Sequence, residues 1–154
     1  DLYEWSAADL ANHFGKMGLF FYNAVRGIDE REVISYREPK SISCEHTFNE
    51  DISDMQELVQ NLKELVERLV IRMHNKQIQG KTIMLKIKYE NFELITRSYS
   101  LSQSTADEKT ILKHAQKLLV ENWDESRKIR LLGVGLSRLD LGSDASGEQL
   151  FLDI

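Results

Sequence analysis

Residues 53–76 read SDMQELVQNLKELVERLVIRMHNK, a stretch with a regular spacing of apolar residues. Apolar side chains recur in it every three or four residues, the spacing that places them on one face of an α-helix. Ser53, followed three residues later by Gln56, forms a capping box, which is typical of a helix start. The stretch therefore predicts a long amphipathic helix, ending near Lys76, whose apolar face must pack on another part of the chain.

The sequence on both sides of this helix has the alternation of β-strands. Apolar and polar residues alternate before the helix and again after it, where a short turn at 90–91 joins two such stretches. A second capping box, Thr105 with Glu108, begins another amphipathic helix, and a last strand follows. The predicted elements are strand 40–48, helix 53–76, strand 82–89, strand 92–101, helix 105–123 and strand 129–139.

This order of elements predicts the α+β class with a split βαβ arrangement, β-α-β-β-α-β. Two helices then cover one face of a four-stranded sheet and leave the other face bare. We call the bare face the open face, and any binding function of the domain is expected there.

Both ends of the chain lie outside this domain. Residues 1–27 predict a small helical hairpin in which Ser6 caps the first helix, Leu10 and Phe14 are buried, and the turn is formed by 15–18. The predicted domains are therefore a helical hairpin at 1–27, a charged linker at 28–39, the α+β domain at 40–141 and a tail at 142–154 that carries an apolar hexapeptide. The hexapeptide is either a segment for a partner's groove or an edge strand of its own domain.

Composition narrows the classes of function. The chain has 154 residues, a net charge of −5, and 42% hydrophobic and 29% charged residues, as ordinary globular proteins do. No apolar run approaches the roughly 20 residues that span a bilayer, so membrane insertion is not expected. The single cysteine, Cys44, fits a cytoplasmic location, and no spacing of its four histidines indicates a metal site or a catalytic centre. Because the sequence starts within a helical pattern, we expect it to be part of a longer protein.

The open face is expected to be small, hydroxylated and locally basic. Hydroxyls, amides and lysines suit phosphate oxygens, and such contacts hold a nucleic-acid backbone without reading its bases. Glycines on the last strand allow another backbone to come close. The alternative is a solvated sheet face that merely lacks exposed apolar residues. The residues assigned to the open face are Ser41, Ser43, Thr47, Lys86, Lys88, Thr96, Ser98, Ser100, Gly133, Gly135 and Ser137.

Several runs of the sequence resemble a known family. The runs are FGKMG at 14–18, VRGID at 25–29, KSISCEHTF at 40–48, KIKY at 86–89 and IRLLGV at 129–134. They are similar to the thumb and little finger of Y-family translesion DNA polymerases of the DNA polymerase IV (DinB-like) type. The C-terminal QLFLDI is similar to that family's sliding-clamp peptide.

The resemblance implies that the little finger domain binds the template–primer duplex and that the tail binds a sliding clamp. It also implies a palm domain with magnesium-binding carboxylates before residue 1, so this chain is expected to need no cofactor and to be inactive alone. We expect it to be a monomer. The implied DNA contacts are Ser41, Ser43, Thr47, Lys86, Lys88, Thr96, Arg97, Ser98, Arg130 and Ser137. Lys16 is a candidate on other grounds, because its glycine-bounded turn opens a helix whose free N–H groups could hold a phosphate; a plain connecting turn is the alternative. The implied clamp contacts are Gln149, Leu150, Phe151, Leu152 and Ile154.

A function of another class is a non-catalytic regulatory or protein-interaction module of ferredoxin-like topology. Its open face would mediate dimerisation or hold a small effector. An apolar open face would favour this alternative.

Overall fold

A computed structural model describes residues 1–34 and 37–141 of the chain. The chain divides into two compact units, Asp1–Arg37 and Glu38–Ile154. The division falls inside the segment 28–39 that the sequence predicts as a linker. The tail from 142 onward, with its predicted clamp contacts, lies outside the described residues.

The first unit contains a short 3-10 helix, Leu2–Glu4, and two helices, α1 (Ala7–Phe14) and α2 (Met17–Ala24). Ser6 caps α1 as predicted, because its side chain accepts a hydrogen bond from the N–H of Asp9 at 3.1 Å. Leu10 is fully buried, but the prediction for Phe14 is wrong, because this residue is 44% exposed. Two helices of eight residues cover too little surface to bury a ring at the end of α1.

The turn of this hairpin is shorter than predicted, because α2 already begins at Met17. Gly18 therefore belongs to the helix, where a Cβ would overlap the backbone of Leu10 and Ala11. Glycine at this position lets the two helices approach closely.

The second unit confirms the α+β prediction. It contains β1 (Ser41–Ile52), α3 (Met55–Asn75), β2 (Gln79–Tyr89), β3 (Leu94–Thr105), α4 (Glu108–Asn122) and β4 (Ile129–Asp140). The four strands form one antiparallel sheet in the order β1-β4-β2-β3. β4 lies between the two strands that α3 connects, which is the split βαβ arrangement.

The helix caps differ from the predicted ones. Asp54 caps α3 by accepting a hydrogen bond from the N–H of Glu57 at 2.8 Å, and Asp107 caps α4 through the N–H of Thr110 at 2.8 Å. The predicted caps, Ser53 and Thr105, precede these residues by one and two positions. Aspartate is as good a cap as serine or threonine, so a sequence that offers both does not fix the first residue of the helix.

The core lies between the helices and one face of the sheet. Leucine and valine residues of α3 and the apolar stripe of α4 pack on alternate residues of the strands. The largest fully buried side chains include Leu58, Leu62, Leu65, Leu69, Met73, Ile83, Leu85, Ile87, Tyr89, Ile111 and Leu119. Among the described elements of the second unit, both helices pack on this one face and none covers the opposite face, as the sequence predicted.

Three further contacts tie the sheet to the helices and to the loop between α4 and β4. The Tyr89 hydroxyl donates to the carbonyl of Asn122 at 3.4 Å, and the Arg127 guanidinium lies over the Tyr89 ring, 3.7 Å from its centroid. At the edge of the sheet, Arg72 of α3 donates to the carbonyl of Ser43 on β1 at 2.8 Å. Within the part of the chain that the structure describes, no helix has the length and apolar character needed to cross a membrane.

We predict that Leu69→Ala lowers the free energy of unfolding by about 2–5 kcal/mol, because it leaves a cavity in the core. Leu69 is fully buried, whereas Ile71 on the same helix is 59% exposed. The matched control Ile71→Ala should change the free energy of unfolding by less than about 0.5 kcal/mol. Urea unfolding measures both, and equal losses for the two variants would contradict the orientation of α3.

Candidate nucleic-acid interface

The register of the sheet places residues of all four strands in rows across the open face. In one row, Ser43 is opposite Gly135, Gly135 is opposite Met84, and Met84 is opposite Ser98. The next row consists of Glu45, Gly133, Lys86 and Thr96. Rows of this kind bring together side chains that lie far apart in the sequence.

Most of the predicted DNA contacts share this face. The register assigns eight of them to it, and none of these eight belongs to the apolar core. They are Ser41, Ser43, Thr47, Lys86, Lys88, Thr96, Ser98 and Ser137.

Two predicted contacts lie elsewhere. Arg97 is opposite Leu85, a core residue, so it belongs to the helix side of the sheet. Its Nε donates to the side-chain oxygen of Asn122 on α4 at 3.0 Å. Lys16 belongs to the first unit, where it is the residue that precedes α2. The structure therefore does not group Arg97 with the open face, and Lys16 stays a separate prediction.

Arg130 reaches the surface through a β-bulge. Lys88 pairs with Leu131 and Tyr89 pairs with Ile129, so Arg130 is the extra residue on β4. The Arg130 guanidinium lies 4.8 Å from the centroid of the Phe92 ring, and the Lys88 ammonium lies 4.9 Å from the same centroid. The bulge thus brings Arg130 to the ring that also contacts Lys88, at one end of the open face.

Phe92 is the centre of this cationic group. It lies in the β2–β3 turn with a φ of 67° and a side chain that is 61% exposed. A bulky residue with positive φ is strained and persists only where the surrounding structure holds it. Its ring gives both cations a cation–π contact that limits their freedom while they stay accessible to solvent.

The expectation of a locally basic face is wrong in one respect. Lys86 forms an ion pair with Glu45, with 2.7 Å between Nζ and Oε2, and Arg130 approaches a carboxylate oxygen of Asp51 at 3.5 Å. Two of the three cations therefore face acidic side chains of β1. The open face has little net charge, although its cations are accessible.

The face is also less uniformly hydroxylated than predicted. Met84 lies near its centre, and Leu94 and Leu131 form a row with Thr47 and Lys88. Some hydroxyls are paired with each other, since Thr82 and Ser100 are 2.9 Å apart. The row of Glu45, Lys86 and Thr96 separates Met84 from the two leucines, and Lys88 lies between Leu94 and Leu131 in their own row.

The structure explains why β4 has glycine at two positions, and the sequence did not indicate this explanation. A Cβ at Gly135 would lie 2.8 Å from the carbonyl oxygen of Ile42 and 2.8 Å from the Cβ of Ser43. The neighbouring strand of the same sheet therefore already requires glycine here. Together with Gly133, this position lines a depression of about 260 Å³ on the open face.

The side chain of His114 lies on the helix side, where its ring stacks on Tyr99 with 4.3 Å between centroids. Its Nδ1 is buried without a hydrogen-bond partner in the described structure. Burial, and then the charges of Lys113 and Lys117, lower the pKa of His114. It stays outside the interface because it belongs to α4, which covers the opposite face. Among residues 1–34 and 37–141, no group of three or more His, Cys, Asp or Glu side chains is arranged to hold a metal ion.

Sequence reasoning missed Glu45, Asp51 and Phe92 as parts of the interface. Glu45 was recognisable as an open-face residue from its parity with Ser43 and Thr47. Its pairing with Lys86 depends on the register of three strands, which no local signal provides. Phe92 carries no turn signature, since aromatic residues seldom adopt positive φ.

The geometry defines a class of protein: an α+β domain that presents a mixed hydroxyl and cation surface on an uncovered antiparallel sheet. Residues 39–152 match the impB/mucB/samB family C-terminal domain, and the chain belongs to that family. This match confirms the predicted resemblance to Y-family polymerases of the DinB-like type.

Related proteins whose alignments cover most or all of this chain agree with this assignment. The chain is 38% identical over 149 residues to DNA polymerase IV 2 of Agrobacterium fabrum, an alignment that covers 97% of this chain and 42% of the relative. It is 40% identical over 136 residues to DNA polymerase IV of Bacteroides fragilis, covering 88% of this chain and 37% of the relative. It is 37% identical over 161 residues to DNA polymerase IV of Leptospira interrogans, covering 100% of this chain and 44% of the relative. The chain thus spans about two-fifths of the length of these relatives.

We predict that Gly135→Ala lowers the free energy of unfolding by about 1–3 kcal/mol, because the added Cβ is forced against the β1 backbone. Gly133→Ala is the matched control on the same strand, where the nearest atoms are the Cβ of Glu45 at 3.0 Å and the Cβ of Lys86 at 3.4 Å. The Gly133 variant should lose less stability, since its nearest contact would be 3.0 Å, whereas a Cβ at Gly135 would meet a backbone carbonyl oxygen at 2.8 Å. Urea unfolding of both variants is the measurement, and a larger loss for Gly133→Ala would contradict the register of β1 against β4.

Proposed function

We propose that the second unit binds template–primer DNA through its open face and contributes this binding to a translesion DNA polymerase. The observation that carries the proposal is the row register, which collects hydroxyls and cations from four strands on one uncovered surface. Membership of the family and the DNA polymerase IV relatives support the same conclusion.

The chemistry of the open face favours contact with the DNA backbone. Ser43, Thr96 and Ser98 offer hydroxyls, and Lys86 and Lys88 offer ammonium groups, all of which can donate to phosphate oxygens. Reading of base edges in the major groove commonly uses a helix or a two-stranded ribbon that enters the groove. A broad sheet face suits binding along the sugar–phosphate chain, so the affinity is largely independent of sequence.

The remaining parts of the proposal concern the whole protein. Because the chain spans only about two-fifths of its relatives, polymerase activity and the magnesium ions of a palm domain are proposed for the complete enzyme. This chain needs no cofactor of its own for the binding function, and we place the enzyme in the cytoplasm.

The tail is proposed to dock the enzyme on a sliding clamp. QLFLDI at 149–154 has an apolar character, and the tether at 142–147 consists of small and polar residues that suit a flexible connection. An apolar peptide on such a tether binds a groove on a partner at a modest entropic cost.

We predict that the double variant Lys86→Ala, Lys88→Ala weakens binding to a primer–template duplex and flattens its salt dependence. Each lost phosphate contact should reduce the slope of log K against log salt by about 0.9. Fluorescence anisotropy of labelled duplex over a series of salt concentrations gives both quantities.

The matched control for this experiment is Lys113→Ala, Lys117→Ala, which removes the same charge from α4 on the helix side. This control should leave the slope unchanged. An equal effect of the two double variants would mean that the charge of the whole domain, and no particular face, governs binding. Unchanged binding by the open-face variant would overturn the proposed function.

We predict that truncation after Gly147 abolishes binding of the chain to the cognate sliding clamp, because the apolar hexapeptide is the docking segment. Isothermal calorimetry measures the binding, and the double variant Leu150→Ala, Phe151→Ala on the full-length chain should reproduce the loss. If truncation leaves clamp binding intact and lowers the free energy of unfolding, the hexapeptide is an edge strand of its own domain.

We further propose that the chain is a monomer. An apolar open face would favour the interaction-module alternative, whereas polar residues separate Met84, Leu94 and Leu131 there. Sedimentation that finds a stable dimer without DNA binding would favour that alternative.

A further inference from the structure

One ion pair occupies the middle of the open face. The Glu45 carboxylate and the Lys86 ammonium are 2.7 Å apart, and their side chains are 49% and 41% exposed. They belong to β1 and β2, which are not neighbours, because β4 runs between them. The two side chains meet above Gly133, the β4 residue that pairs with both.

Glycine at position 133 makes this contact possible. A Cβ there would lie 3.0 Å from the Cβ of Glu45 and 3.4 Å from the Cβ of Lys86, so any larger side chain would fill the space between them. The space is part of the 260 Å³ depression, which Ser43 and Thr96 also line. Met84 and Val134 line the hollow as well as these polar residues, and Glu45 is one of its walls. The Lys86 ammonium beside it already has an anion, the Glu45 carboxylate, as its partner.

We propose that Glu45 is a built-in competitor for one phosphate of the DNA backbone, which takes the place of its carboxylate beside Lys86 when the duplex binds. The inference rests on the proposed function and adds a residue that limits affinity. A carboxylate and a phosphate oxygen are equivalent acceptors for an ammonium group. Since both partners are about half exposed, their pair is weak and can open at little cost.

The competition has a definite consequence for binding. In the free chain Lys86 is neutralised by Glu45, so part of its attraction for DNA is lost before the duplex arrives. After displacement, the Glu45 carboxylate stays close to the phosphates and repels them. Glu45 therefore lowers affinity and reduces the contribution of Lys86 to the salt dependence.

The test is Glu45→Gln, which keeps the shape of the side chain and removes its charge. We expect the affinity of the full chain for a primer–template duplex at 0.1 M salt to rise by up to about tenfold, and the salt slope to become steeper by up to about 0.9, the contribution of one phosphate contact. Glu50→Gln is the charge-matched control, because Glu50 is an exposed acid on the same strand. It should give a smaller gain and an unchanged slope.

A double-mutant cycle separates competition at Lys86 from general repulsion. In the background of Lys86→Ala, the slope change caused by Glu45→Gln should disappear. If Glu45→Gln has the same effect with and without Lys86, or the same effect as Glu50→Gln, the inference is overturned. Urea unfolding of each variant verifies that the compared chains are folded.

The outcomes also distinguish this inference from the proposed function. If Lys86→Ala, Lys88→Ala weakens DNA binding while Glu45→Gln leaves both affinity and slope unchanged, only the competition by Glu45 is wrong. If the parent chain does not bind the duplex, or if the loss of Lys86 and Lys88 does not change its affinity, the proposed function is wrong and so is the inference.

Discussion

The apolar stripes of α3 and α4 are buried against a single face of the sheet, and this burial organises the whole second unit. Leu62, Leu69 and Leu119 are fully buried there, and the strands contribute every second residue to the same core. Because side chains alternate along a strand, the choice of one face for the core assigns all remaining residues to the other. The interface is thus a direct consequence of how the core is built.

Strand order then determines which open-face residues meet. β4 lies between β1 and β2, so its residues form the floor between side chains of two other strands. Where β4 has glycine, long side chains of β1 and β2 can contact each other across it, as Glu45 and Lys86 do in their ion pair. Where β4 has a bulge, Arg130 approaches the same ring as Lys88. The electrostatic character of the surface is therefore set as much by β4 as by the charged residues themselves.

The sequence was sufficient for those features that depend on local periodicity. The length of α3, the class of the fold and the parity of Ser43, Lys86 and Ser98 all follow from spacings of two or of three to four residues. Features that depend on pairing between distant strands were not accessible. The ion pair at Glu45 requires the register across β4, and Arg97 was grouped with DNA contacts by resemblance although its pairing with Leu85 places it on the helix side. Ends of elements were also uncertain, since Ser53 and Asp54 are both capable helix caps.

The hydrogen bond from Arg72 to the carbonyl of Ser43 has a consequence for how molecules of this protein meet in solution. β1 is an edge strand of the sheet. The unpaired main-chain groups of an edge strand can form hydrogen bonds with a strand of another polypeptide. The carbonyl of Ser43 already accepts a hydrogen bond from the Arg72 guanidinium. An incoming strand would have to displace this charged, hydrated group before it could pair with β1 at this residue. A single arginine on the covering helix thus engages one of the main-chain acceptors that this edge strand would offer to an incoming strand.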